Sequence, residues 1–264
     1  KSASYDGTGS VDAIFNAIKE ALGTQPHLVL YAVDAVTGGT DLSALTVIDA
    51  RADGAPEAVA TFDAGSGVWW ASLSPDGRYA AAATNNGRVR LVDLRDPAHP
   101  MALPDPIVFR DGTAMAVRFS ADGRRLVATS EGGTVKVADI ADPHEPRQVA
   151  EMHGPAGQLY SASFSPDGTK VAASGGNSEV WVWRLDGGRA HQYAVLRSYP
   201  GIVYDVRFAD DQTLLAAGAA GYIKSWRLDP KSLISDLCAR LGDRLTVDEW
   251  ELYAPGVDYR PPCR

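Results

Sequence analysis

The 264-residue chain holds two cysteines, five histidines and no cluster of basic side chains. Each scarcity excludes something. With 33 acidic residues against 25 basic ones the formal charge is −8, and without clustered Lys and Arg to release counterions a nucleic-acid footprint is excluded. His27, His99, His144, His153 and His191 stand apart, none paired with Glu or another His at helical spacing, so neither a metal site nor a cofactor is expected. There is no Gly-x-Ser-x-Gly elbow, no P-loop and no kinase signature. We therefore assign no catalytic residue and expect no enzyme. No stretch reaches the roughly 20 apolar residues that a membrane-crossing helix needs, and KSASYDGTGS lacks the charged-then-apolar order of a secretory leader. No membrane insertion is expected. Apolar residues still make up 45% of the chain, enough for a globular core.

What is present is a repeat. The stretches SLSPDGRY, RFSADGRR, SFSPDGTK and RFADDQTL put Asp76, Asp122, Asp167 and Asp211 at intervals of 46, 45 and 44 residues. Each is a turn between two runs rich in small and β-branched residues. After the turn come a second run (YAAAAT, LVATS, KVAASG, LLAAGA), a short turn and a third run (RVRLVDL, TVKVADI, EVWVWRL, YIKSWRL). Three of the four copies add a looser fourth run, PDPIVF, PRQVAEM and HQYAVL. Four strands and three tight turns describe one antiparallel blade. An earlier partial unit reads as a third strand, LTVIDAR, and a fourth, EAVATF.

The period and the Phe-Ser-Pro-Asp-Gly turn resemble the WD40 repeat. The family's Trp-Asp pair, aligned on that turn, falls on Val92, Ala138, Trp183 and Trp226, then on Asp93, Asp139, Arg184 and Arg227, so no copy has both residues. The Gly-His pair is also missing. The resemblance over residues 44–229 implies a mainly β fold, a WD40-like β-propeller of four full blades plus a partial fifth. With the family's internal polar network incomplete, the blades are expected to rely more on apolar packing.

After the last unit, DPKSLISDLCARLG has a helical pattern, with Leu233, Leu237 and Leu241 four apart. Two readings of Cys238 and Cys263 are open, a bridge that closes a loop worth roughly 3 kcal/mol and two unrelated thiols. The tail, with Leu245, Thr246, Glu249, Trp250 and Tyr253, resembles the ends of actinobacterial WD40 proteins, which implies that the two cysteines pair and close the propeller. It also implies a bacterial protein, extracytoplasmic if the bridge forms and cytoplasmic otherwise.

Residues 5–41 break the blade pattern. SVDAIFNAIKEALG reads as an amphipathic helix with Ser10 as N-cap and Gly23 as its stop, and HLVLYAV as a strand. Gly7, Gly9, Val11, Asp12 and Ala13, then Gly39 and Asp41, resemble the regulatory domain of 2-isopropylmalate synthases, which implies a leucine-binding role for Gly39 and Asp41. The later half of that domain and its catalytic barrel are missing. The segment is either grafted, by recombination or engineering, or similar by chance. The expected organisation is therefore an α/β segment at 1–43, blades at 44–229 and a C-terminal helix and tail at 230–264.

Counting back four from Leu73, Phe119, Phe164 and Phe208 gives Trp69, Met115, Tyr160 and Tyr204, all large. At the start of an inner strand these would ring one mouth of the channel, with Asp205 and Arg207 as polar neighbours, or else plug it as core. Aromatics and Met bury much area at low entropic cost, which suits a partner site. The expected function is a non-catalytic scaffold for a protein or peptide, with a homodimer through an open propeller edge as one assembly. The alternatives are a leucine-responsive module and a chimera without cellular function.

Overall fold

The computed structural model describes residues 43–49, 57–154, 157–197, 200–230, 234–235, 238–239, 246–253 and 258. Among them the chain is mainly β, in five antiparallel sheets. β1 (Ala44–Asp49) and β2 (Glu57–Asp63) form a pair. Three four-stranded sheets follow: β3 (Val68–Leu73) to β6 (Met101–Val108) through β4 (Tyr79–Thr84) and β5 (Arg88–Asp93); β7 (Ala114–Phe119) to β10 (Arg147–His153) through β8 (Arg125–Ser130) and β9 (Thr134–Asp139); and β11 (Leu159–Phe164) to β14 (Arg189–Leu196) through β12 (Lys170–Gly175) and β13 (Val180–Asp186). The last sheet has β15 (Val203–Phe208), β16 (Thr213–Gly218) and β17 (Ile223–Arg227). Each is a meander. The first strands β3, β7, β11 and β15 pack side by side, so the sheets fan outward as WD40-like propeller blades.

Alternation within a strand explains the packing. In β4, Ala80 and Ala82 face the β1–β2 pair while Ala81 and Ala83 face the next blade, and all four are fully buried. Small residues let blades approach on both sides close to the axis, where room is least. The Trp-position residues Val92, Ala138, Trp183 and Trp226 occupy one register position, each opposite the second residue of its neighbouring strand. Where Val and Ala stand, Leu94, Leu103 and Ile140 help fill the space.

The three Ser-x-Asp-Gly turns close in one way. Ser74 Oγ donates to Asp76 at 2.7 Å, Ser120 Oγ to Asp122 at 2.5 Å and Ser165 Oγ to Asp167 at 2.6 Å. The Ser74 bond holds the Asp76 carboxyl below its usual range. In the fourth turn Asp210, not Asp211, caps the chain by accepting from Gln212 N, and Asp211 instead accepts Asp167 N of the previous blade at 2.8 Å.

Among the described residues the fourth unit has three strands: its third ends at Arg227, Leu228 turns into the core, and Pro230 is already helical. Ile234, Ser235, Cys238 and Ala239 are helical, as the leucine spacing predicts, and α1 (Val247–Tyr253) follows. Cys238 belongs to this helical stretch, while Cys263 lies outside the described residues. The predicted N-terminal helix and strand, with Gly39 and Asp41, also lie outside them.

One turn carries strain. Between the second and third strands Gly87, Gly133 and Gly221 hold positive φ, and the equivalent residue of the third full blade is Ser178 at φ 65°. A Cβ in the left-handed region costs roughly 1–2 kcal/mol, offset in part by the entropy that glycine loses on folding. Ser178→Gly is therefore expected to raise the unfolding free energy by about 0.5–1 kcal/mol in a urea titration.

Candidate functional site

Every full inner strand carries a bulge, always at its second residue. The register jumps between Val68 and Trp70, Ala114 and Ala116, Leu159 and Ser161, and Val203 and Asp205. The skipped residues are Trp69, Met115, Tyr160 and Tyr204. A bulged residue has no ladder partner, and its side chain is re-aimed away from the pleat. Trp69 is 57% exposed and Tyr204 50%, while Met115 at 7% belongs to the core. The open part of the rim is thus Trp69, Tyr160 and Tyr204. The Tyr160 and Tyr204 rings meet edge to face at 5.7 Å between centroids. Tyr160 OH donates to Gln158 Oε1 at 2.8 Å, and Gln158 Nε2 donates to Glu131 Oε1 at 3.0 Å, tying the ring to the neighbouring blade's turn.

Beneath the rim lies a polar group that the sequence reading did not assemble. Arg118, in β7 and 5% exposed, donates from Nη2 to Asp205 Oδ1 at 2.8 Å, and from Nη1 to Ser161 Oγ at 3.1 Å, Ala162 O at 3.2 Å and Val206 O at 3.1 Å. Ser161 Oγ itself donates to Asp205 Oδ1 at 2.7 Å. The guanidinium lies over the Trp70 ring, 4.9 Å from its centroid. Burial pushes Arg118 down to about 10, with Asp205 opposing the shift. Burial pushes Asp205 up, but Arg118 and the Ser161 bond outweigh it and the carboxyl sits below its usual range. Asp205 thus faces inward as well as toward Arg207, whose Nε is 3.4 Å from Oδ2. A lone Arg in the apolar run AMAVRF was the available signal, since buried charges are paired.

Beside the apolar clusters shared by neighbouring blades, polar bonds also run between blades. Besides Arg118, Thr129 Oγ1 donates to Leu159 O at 2.9 Å and Lys170 Nζ to Asp211 O at 3.1 Å. Ser130 Oγ and Thr134 Oγ1 both donate to Asp111, in the loop that joins β6 to β7.

A concavity of about 810 Å³ lies between β6 and β9–β10. Asp105, Lys136 and Glu151 in its wall already have partners. Asp105 takes Arg88 at 2.9 Å and Arg90 at 3.0 Å, and Lys136 takes Val108 O at 2.9 Å and Glu151 at 3.5 Å. Pro104 and Pro106 remove two donors from the outer edge of β6, which blunts strand addition there. The rim, with its exposed aromatics, is the better candidate.

Comparison with known proteins matches the N-terminal segment and part of the blade region. The WD domain, G-beta repeat model matches residues 56–93, 109–139 and 146–184, and the LeuA allosteric (dimerisation) domain model matches residues 1–74. The second match runs past residue 43, through β1 and β2 and into β3, so residues 56–74 fall within both. A 2-isopropylmalate synthase of Thermus thermophilus is 51% identical over 39 residues, 15% of this chain and 12% of that protein. One of Lactococcus lactis subsp. lactis is 51% identical over 43 residues, 16% of this chain and 8% of its own length. Protein HIR1 of Chaetomium globosum is 32% identical over 71 residues, 24% of this chain and 7% of that protein. The chain therefore spans a small fraction of each relative. It carries WD40 repeats and an N-terminal segment of the LeuA dimerisation type.

Proposed function

With the WD40 repeats as premise, we propose that the chain is a non-catalytic interaction scaffold for a protein or peptide, which docks on the rim of Trp69, Tyr160 and Tyr204 with Arg207 beside it. The supporting observation is the bulge at one position of four successive inner strands, which aims large side chains to one end and leaves two aromatics exposed. Exposed Trp and Tyr are hot-spot residues because they exclude water over a large area. Peptides selected against the protein from a random library are expected to bind the Trp69→Ala, Tyr204→Ala double variant about 30-fold or more weakly, a loss of about 2 kcal/mol. Unchanged affinity in a folded variant would reject the site. We include the pairing of Cys238 with Cys263 and self-association through the edge of the three-stranded sheet, which solution mass and thiol titration read directly.

A second reading rests on the LeuA match to residues 1–74, a leucine-responsive regulatory module. Calorimetric heat with leucine that disappears in Asp41→Ala would favour it, and absence of heat would remove it.

A further inference from the structure

Arg118 touches the same position of three other inner strands. Trp70, Ser161 and Asp205 each directly follow a rim residue, Trp69, Tyr160 and Tyr204. The rim residues are bulged, so the ladder does not fix them; the residues after them are where the ladder resumes. Those are the residues that the guanidinium holds. Its remaining bonds go to Ala162 O and Val206 O, one residue further on. β3 (VWWASL) and β11 (LYSASF) bring no charged side chain, so the charges meeting here are Arg118 from β7 and Asp205 and Arg207 from β15.

We propose that Arg118 is the positioning residue of the rim: a single planar side chain that clamps the residues following Trp69, Tyr160 and Tyr204 and so holds the Tyr160–Tyr204 pair in the pose a partner meets. The part concerning a partner rests on the rim being the docking surface; the clamp itself does not. The geometry calls for Arg in particular. The two amino groups of a rigid fork serve four acceptors while the guanidinium lies over a ring face, whereas the Lys ammonium is a point charge on a flexible stem.

The test is ¹⁹F NMR of the full chain labelled with 3-fluorotyrosine, its Tyr160 and Tyr204 resonances assigned with the Tyr160→Phe and Tyr204→Phe variants. Arg118→Met is expected to displace both resonances, and Arg118→Lys to restore at most one. Leu126→Ala, which weakens the core of the same sheet, should leave both in place. Unmoved resonances in a folded Arg118→Met overturn the proposal, and so do equal displacements in Leu126→Ala, which would mark a general structural role. If Arg118→Met does not fold, Arg118→Lys decides: both resonances at their wild-type positions overturn the clamp. Library-selected peptides should bind Arg118→Met about tenfold more weakly through lost preorganisation. Displaced resonances with peptide binding indifferent to Tyr204→Ala would remove the docking reading and leave the clamp, while the converse would remove the clamp alone.

Discussion

Replacing Arg118 with methionine is expected to lower the unfolding free energy at pH 7 by about 3 kcal/mol, the low end of the range for breaking a buried ion pair. The low end applies because Asp205 is about a third exposed, and Arg207 and Ser161 stay beside it. Much of the loss is the cost of a carboxylate left without its cation, so Arg118→Met combined with Asp205→Leu should recover most of it. The sign of the pH dependence follows from Asp205. Its folded pKa is depressed, so its contribution is present above the unfolded value of about 3.9 and is lost as pH falls through the lower folded value. The gap between wild type and Arg118→Met should therefore be widest near neutrality and narrow below about pH 4. Urea titrations of the four proteins of the cycle at pH 7 and pH 3 measure it. Additive single effects would show that the two groups do not act as a pair.

Leu159→Ala is expected to cost a similar amount, about 3 kcal/mol or slightly more. Leu159 is fully buried in the core shared by β8–β10 and β11–β14. Its methyls rest on main chain. A Cβ added to Gly154 or Gly175 would meet them at 3.2 and 3.1 Å. Backbone relaxes less readily than side chains, so the cavity should stay largely open, which puts the cost above the minimum for a Leu truncation. The Thr129 bond to Leu159 O survives, since it goes to the main chain. A loss under about 1 kcal/mol in the same titration would mean that the blades close over the gap.

How far the sequence could be read depended on how far apart the interacting residues stand. The turns at Asp76, Asp122 and Asp167 are local, and their period announced the blades. The alignment that picked out Trp69, Met115, Tyr160 and Tyr204 found one structural position, because strand length and turn type are shared among the units. It did not show that the position is a bulge, nor that Met115 is buried while its counterparts are open. Arg118 and Asp205 are 87 residues apart and joined across the centre of the array, a contact that no period encodes. Adjacency in sequence therefore places Asp205 at the rim beside Tyr204 and carries no sign of its inward bonds. The shift of the capping role from Asp211 to Asp210 was hidden by an alignment that counts positions and not bonds.

The placement of the rim on bulged residues bears on how such a surface changes over time. A residue that contributes nothing to strand register can be exchanged without disturbing it, so under the proposed function Trp69 and Tyr204 are positions where substitution would alter what a partner meets at little expense to folding. Duplication of the unit copies this arrangement with it. Where the copy stays open, as at Trp69 and Tyr204 but not at the buried Met115, it brings its own letter to a common address, while the burden of holding the address together falls on residues one step further along the strand.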